Sequence, residues 1–131
     1  MQPNNTIQIA EAIYKQTGES TKLNEFGMRE MQAKAFERRS SQYLLIKAPP
    51  ASGKSRALMF IALDKLHNQG LKKVIVAVPE KSIGGSFSAT KLTEQGFFAD
   101  WNLNDDYNLC TPGGDESKVS LFEKFMDNDE K

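Results

Sequence analysis

The sequence predicts an α/β fold, a parallel sheet with flanking helices, from three observations. Residues 43–46, Tyr-Leu-Leu-Ile, form an unbroken apolar run directly ahead of the loop APPASGKS at 48–55. Residues 56–68 carry Ala57, Leu58, Phe60, Ile61, Ala62, Leu63 and Leu66, apolar on more than one helical face. Val74, Ile75, Val76, Ala77 and Val78 make a second run, rich in β-branched residues and closed by Pro79. An apolar run of this kind suits a strand buried on both faces. Strand, crossover helix and strand compose a right-handed βαβ unit, so both strands end on one edge of a parallel sheet. Ligands bind at that edge in such sheets.

The loop supplies the chemistry. Ala48-Pro49-Pro50-Ala51-Ser52-Gly53-Lys54-Ser55 fits the phosphate-loop pattern of four free positions followed by Gly-Lys-Ser, with Ala48 where the first glycine usually stands. In such a loop successive backbone N–H groups turn inward around a phosphate, and the following helix aims its positive end at the same anion. Gly53 leaves room for close backbone approach, Lys54 reaches the β- and γ-oxygens as a point charge, and the Ser55 hydroxyl can ligate Mg2+. Ala48 is tolerable where the first position needs no positive φ, and Pro49 and Pro50 stiffen the entrance without removing a needed donor. The candidate nucleotide-binding positions here are Ala48, Pro50, Ala51, Ser52, Gly53, Lys54, Ser55 and Arg56. The competing reading is an ordinary strand-to-helix turn with a surface lysine.

Composition bounds the rest. A chain of 131 residues suits one domain, and 39% hydrophobic with 26% charged residues argues against disorder. The 17 basic and 17 acidic residues cancel, so no global field holds nucleic acid or an anionic membrane, and any polyanion contact is local. Cys110 is the one cysteine, which excludes an internal disulfide and suits a reducing cytosol. The first residues lack the pattern of a signal peptide and no later stretch is apolar enough to span a bilayer, so the expectation is a soluble cytoplasmic protein.

Along the chain, Asn5 and Gln8 with Ile7, Ile9, Ala10, Ile13 and Tyr14 predict a capped amphipathic helix stopping near Gly18. This divides the chain into an N-terminal helix and connection, 1–25, and a phosphate-loop domain, 26–131. Met28, Met31, Ala35 and Phe36 have helical spacing, with Glu30 and Lys34 placed to pair on the wet face and Arg38 and Arg39 at the helix end. Arg29 and Gln32 are its notable polar positions. An amide can donate to and accept from an adenine edge at once, although the spacing alone favours a solvated helix with a core stripe. The helix after the loop ends at Gly70, with His67 as a solvent-side residue of its last turn. Beyond Pro79, Ser82 can cap a helix that the Gly84-Gly85 pair weakens. The pair implies close approach either by a phosphodiester backbone, with Lys81 or Lys91, or by a neighbouring loop. Phe97, Phe98 and Trp101 suit core packing or base stacking. Residues 107–111 read as a short strand, 112–114 as a turn, and Ser117 as the cap of a last helix.

Taken in order, Arg29 and Gln32, APPASGKS, VIVAVPEKSIGGSF and FFADW resemble the first RecA-like domain of superfamily 2 DEAD/DEAH-type helicases, from Phe26 to the C-terminus. The resemblance implies a partial RecA-like phosphate-loop domain that binds ATP and Mg2+, with Gln32 reading adenine. It makes Pro79, Lys81, Ser82 and Gly84 candidate nucleic-acid contacts, although Glu80 stands where that family usually has threonine. Helicases of this kind carry an Asp-Glu pair after a later apolar strand, whereas Asp115-Glu116 and Asp129-Glu130 follow none. Without that carboxylate and the arginines of a second RecA-like domain, stabilisation of phosphoryl transfer is incomplete, so no catalytic residue is assigned and no turnover is expected from this chain alone. The alternatives are a split ATPase completed by a partner chain, and a degenerate interaction module without ligand. Missing strands would leave a sheet edge open to a protein partner or a second copy.

Overall fold

The computed structural model describes residues 9–13, 22–110 and 117–128. The chain divides into two compact units, meeting in sequence between Ile61 and Ala62.

In the first unit, β1 (Ile9–Ile13) pairs in parallel with β2 (Tyr43–Lys47), in a register running from Ile9 opposite Tyr43 to Ile13 opposite Lys47. Two parallel neighbours need a crossover, and α1 (Glu30–Glu37) lies within it. The βαβ unit observed therefore precedes the glycine-lysine loop. The helix expected across residues 9–13 is a strand. Ile9 and Ile13 are four apart, a spacing that fits one face of a helix and one face of a strand equally well, and pairing with β2 gives the backbone its partners. The rest of that expected helix lies outside the described residues.

Burial on β2 alternates. Tyr43 and Leu45 are exposed, Leu45 at 53%, while Leu44 and Ile46 are half-covered. The strand is thus covered on one face, where burial on both was expected. On the covered side, Ile46 and Ala48 pack against Met31 of α1 and Ala57 of α2 (Lys54–Asn68). A small side chain at Ala57 brings helix and strand close.

Local chemistry sets α1. The Asn24 side-chain oxygen accepts from the N–H groups of Phe26 and Met28, each at 2.9 Å, folding a turn that delivers Arg29 as N-cap. Glu30 and Lys34 pair at 2.9 Å on the exposed face, as their spacing requires. At the other end the Arg39 guanidinium lies 4.3 Å from the centroid of the Phe36 ring and donates to the Phe36 carbonyl. Of the apolar stripe read from the sequence, Met28, Met31 and Ala35 are buried and Phe36 is half-buried.

The second unit opens with the end of α2, where Ala62, Leu63 and Asp64 are buried. The Asp64 carboxylate accepts from the side-chain amides of Asn68 and Gln69, at 2.8 and 2.7 Å, just ahead of Gly70. Residues 74–78 show alternate burial and exposure, yet they join no ladder, so the second strand expected there is not formed among the described residues. Their apolar side is half-covered, and Val74, Val76 and Val78 line a cavity of about 500 Å³ with Leu63, Trp101 and Leu121. The period-two pattern is kept; a hydrogen-bonding neighbour is what a strand additionally requires.

A 3-10 helix, Lys81–Phe87, follows, with Glu80 rather than Ser82 at its N-cap. Trp101 organises what comes next. Its backbone exchanges both hydrogen bonds with Thr90, at 2.9 and 3.0 Å, and its indole N–H donates to the Phe87 carbonyl at 2.8 Å. Phe97 and Trp101 are buried, so these aromatics belong to the core, while Phe98 is exposed beside the His67 ring, edge-on at 5.7 Å. Residues 105–107 form a 3-10 turn in place of the start of the expected strand, because the Asn104 side chain accepts from the Asp106 N–H and caps it. Helix α3 (Lys118–Asp127) begins at Ser117, whose hydroxyl accepts from the Ser120 N–H at 3.1 Å. No helix among the described residues is long and apolar enough to cross a membrane.

Candidate nucleotide site

The glycine-lysine loop runs from the end of β2 to the first turn of α2 and lies wholly in the first unit. Gly53 carries φ of +91°, and its carbonyl accepts from the Ala57 N–H at 3.0 Å, which starts the ladder of α2. The N–H groups of a helix's first turn have no ladder partner, so they and the helix dipole face whatever the loop encloses. Ala48 is not among the positive-φ residues; the left-handed position in the loop, besides Gly53, is Ala51, with φ of +61°. Alanine is therefore accommodated at the position where the first glycine usually stands, and the backbone tension falls three residues later. A left-handed non-glycine residue costs about 1–2 kcal/mol, held here by the surrounding contacts.

Those contacts come from α1. Arg29 Nη1 donates to the Ala51 carbonyl at 3.3 Å, and Gln32 Nε2 donates to the Gly53 carbonyl at 3.0 Å. Gln32 Oε1 in turn accepts the Arg29 backbone N–H at 2.7 Å. Gln32 is buried, at 2% exposure. A Cβ at Gly53 would stand 2.4 Å from Gln32 Nε2, so the close approach that glycine permits is made by this amide. Sequence reasoning singled out Arg29 and Gln32 for a nucleotide, and the structure brings both to the loop backbone.

Lys54 folds back over the loop. Its Nζ donates to the Ala48 carbonyl at 2.7 Å and reaches the Pro49 carbonyl at 3.4 Å. Ser52 is buried at 7% exposure, and its hydroxyl has no hydrogen-bond partner. Buried hydroxyls are ordinarily satisfied, and leaving one unpaired costs about 1–3 kcal/mol. Ser55 and Arg56 are half-buried in the first turn of α2, and Pro50 is exposed at the loop's rim.

The chain is 66% identical over 123 residues to "Putative ATP-dependent helicase YeeB" of Bacillus subtilis (strain 168). That match takes in 94% of this chain and 20% of the relative, so the chain spans about a fifth of the length of the curated protein it resembles. No family model matches the chain. No solved structure matches it either.

The remaining sequence-chosen positions lie in the second unit. Pro79, Lys81 and Ser82 are exposed. Gly84 is buried, and a Cβ there would meet Cys110 Cβ at 2.5 Å, so the loop 108–110 makes the close approach that this glycine allows. The Thr93 backbone N–H, 2.9 Å from Oδ1, and the Thr93 hydroxyl hold the Asp100 carboxyl below its ordinary range. Its role is to fix the turn at 93–95. Sequence reasoning missed the Pro49 carbonyl and the left-handed Ala51, since neither advertises itself by residue type.

Proposed function

We propose that the first unit is the phosphate site of a helicase-like, ATP-binding protein. The observation that carries this reading is the loop itself: a buried hydroxyl without a partner at Ser52, beside a lysine whose donors rest on loop carbonyls, at the positive end of a 15-residue helix. These groups fit a polyphosphate. Its oxygens would accept from the Ser52 hydroxyl and from first-turn N–H groups, and would draw Lys54 from the carbonyls of Ala48 and Pro49. Bound Mg2+ would neutralise charge on the phosphate oxygens, and the Ser55 hydroxyl, in the first turn of α2, is the side chain that would hold it. The name of the relative supports nucleotide use in a helicase context.

The order strand, helix, strand, loop, helix supports a partial RecA-like parallel sheet as the architecture. Turnover in such proteins requires a carboxylate after a later apolar strand and arginines from a second domain; we assign no catalytic residue here, and the proposal is confined to nucleotide binding. Nucleic acid is the proposed partner, with exposed Pro79, Lys81 and Ser82 as its contacts here.

Thermal unfolding with and without Mg-ATP, wild type beside Lys54→Ala, tests the site. Ligand at a hundred times its dissociation constant stabilises by about 2.7 kcal/mol, which moves the midpoint by several degrees for a domain of this size. The expected result is a shift that Lys54→Ala abolishes. No shift in either protein at millimolar nucleotide overturns the proposal and leaves an interaction module that retains the loop as architecture.

A further inference from the structure

Gln32 was singled out as a reader of adenine, and its surroundings argue for another use. To read a base edge, a side-chain amide must turn an N–H and its carbonyl toward the ligand together. Both ends of this amide are already engaged by the chain: Oε1 by the Arg29 N–H at 2.7 Å, Nε2 by the Gly53 carbonyl at 3.0 Å. One N–H and one lone pair remain in principle, but a side chain 2% exposed has no open face to offer them. The contact is also built into the loop, since Gly53 has no Cβ and any Cβ there would overlap the amide at 2.4 Å. Arg29, the other candidate, spends its Nη1 on the Ala51 carbonyl of the same loop.

We propose that this site recognises the triphosphate and is indifferent to the base, so that nucleoside triphosphates as a class are its ligands. Gln32 is a positioning residue. It acts through Gly53, fixing the carbonyl from which α2 starts and with it the N–H groups that face the phosphate. Specificity then resides in the loop groups Ser52, Lys54 and Ser55, which see oxygens common to every nucleoside triphosphate. This inference rests on the phosphate-site reading above.

The discriminating ligand has no base. Calorimetric titration of wild type and Gln32→Met with Mg-ATP, Mg-GTP and tripolyphosphate separates the two roles. Titrations are made below the unfolding transition of both proteins, with folding checked by far-UV circular dichroism, so that a change in Kd is not a change in the folded fraction. The expected result is ATP and GTP within about threefold of one another in wild type, a difference small beside that of one lost hydrogen bond. Gln32→Met should weaken all three ligands by a similar factor, roughly five- to tenfold, tripolyphosphate included. ATP binding at least about tenfold tighter than GTP, with tripolyphosphate unaffected by Gln32→Met, overturns the inference and leaves the phosphate site standing. No binding of any of the three to wild type overturns both. Should Gln32→Met fail to fold, the wild-type ratio of ATP to GTP decides alone.

Discussion

Replacing Gly53 with alanine tests the tie between α1 and the loop without touching a charged group. Two costs arise. At φ of +91° an L-residue is strained beyond the ordinary left-handed well, which costs about 1–2 kcal/mol. The new Cβ would also stand 2.4 Å from Gln32 Nε2, so the amide must withdraw and surrender its bond to the Gly53 carbonyl, about 0.5–1.5 kcal/mol. Against these, alanine lowers the entropy of the unfolded chain by about 0.4–1 kcal/mol. The expected loss is about 1.5–2.5 kcal/mol, read by urea unfolding at constant slope. A double substitution separates the two costs. In a Gln32→Ala background the overlap disappears while the φ strain stays, so Gly53→Ala should cost about 1 kcal/mol less there than in wild type. A loss below about 0.5 kcal/mol in the single variant, or strict additivity in the pair, would refute the account of Gly53 as the seat of the Gln32 amide.

Two further outcomes follow from the second unit. Trp101→Phe keeps the ring in the core but removes the indole N–H from the buried Phe87 carbonyl, and chemical denaturation should show a loss of about 1–2 kcal/mol; no loss would mean that the carbonyl finds another donor. Asp100 has a folded pKa below its unfolded one, so the stability it lends is present above the ordinary carboxylate range and is lost as pH falls through the folded value. Asp100→Asn should flatten the acid limb of the stability profile, below the ordinary carboxylate range, and leave the neutral region level; an unchanged acid limb would show that the Thr93 contact does not bias the titration.

The glycine-lysine loop and α1 could be read from the sequence because their signals are local. Met28, Met31 and Ala35 repeat with the helix, Glu30 meets Lys34 one turn on, and Ser117 caps the last helix. What escaped depends on partners distant in sequence. Ile9 and Ile13 have a spacing common to helix and strand, and the choice between them is made by β2, some thirty residues away. Residues 74–78 carry a strand's alternation, but a ladder needs a second chain segment that no residue within the run announces. At Gly84 both a phosphodiester and a loop were compatible with a missing Cβ, and Cys110 occupies that space. In the site, residue type drew attention to Gln32 and Arg29 as nucleotide contacts, while their attachment to the carbonyls of Gly53 and Ala51 became visible only with the backbone in place.

The fold-back of Lys54 bears on hydration. An ammonium free in solvent must shed water before it can meet an anion, and that dehydration opposes much of the attraction. Here two carbonyls already stand in for part of that water, with Ala48 at 2.7 Å and Pro49 at 3.4 Å. On the proposed phosphate-site reading, an arriving phosphate would exchange neutral oxygens for charged ones around a cation that is already partly dry. The water released on such binding would then come mostly from the ligand, and the vacated carbonyls at the loop's entrance would be free to take it up.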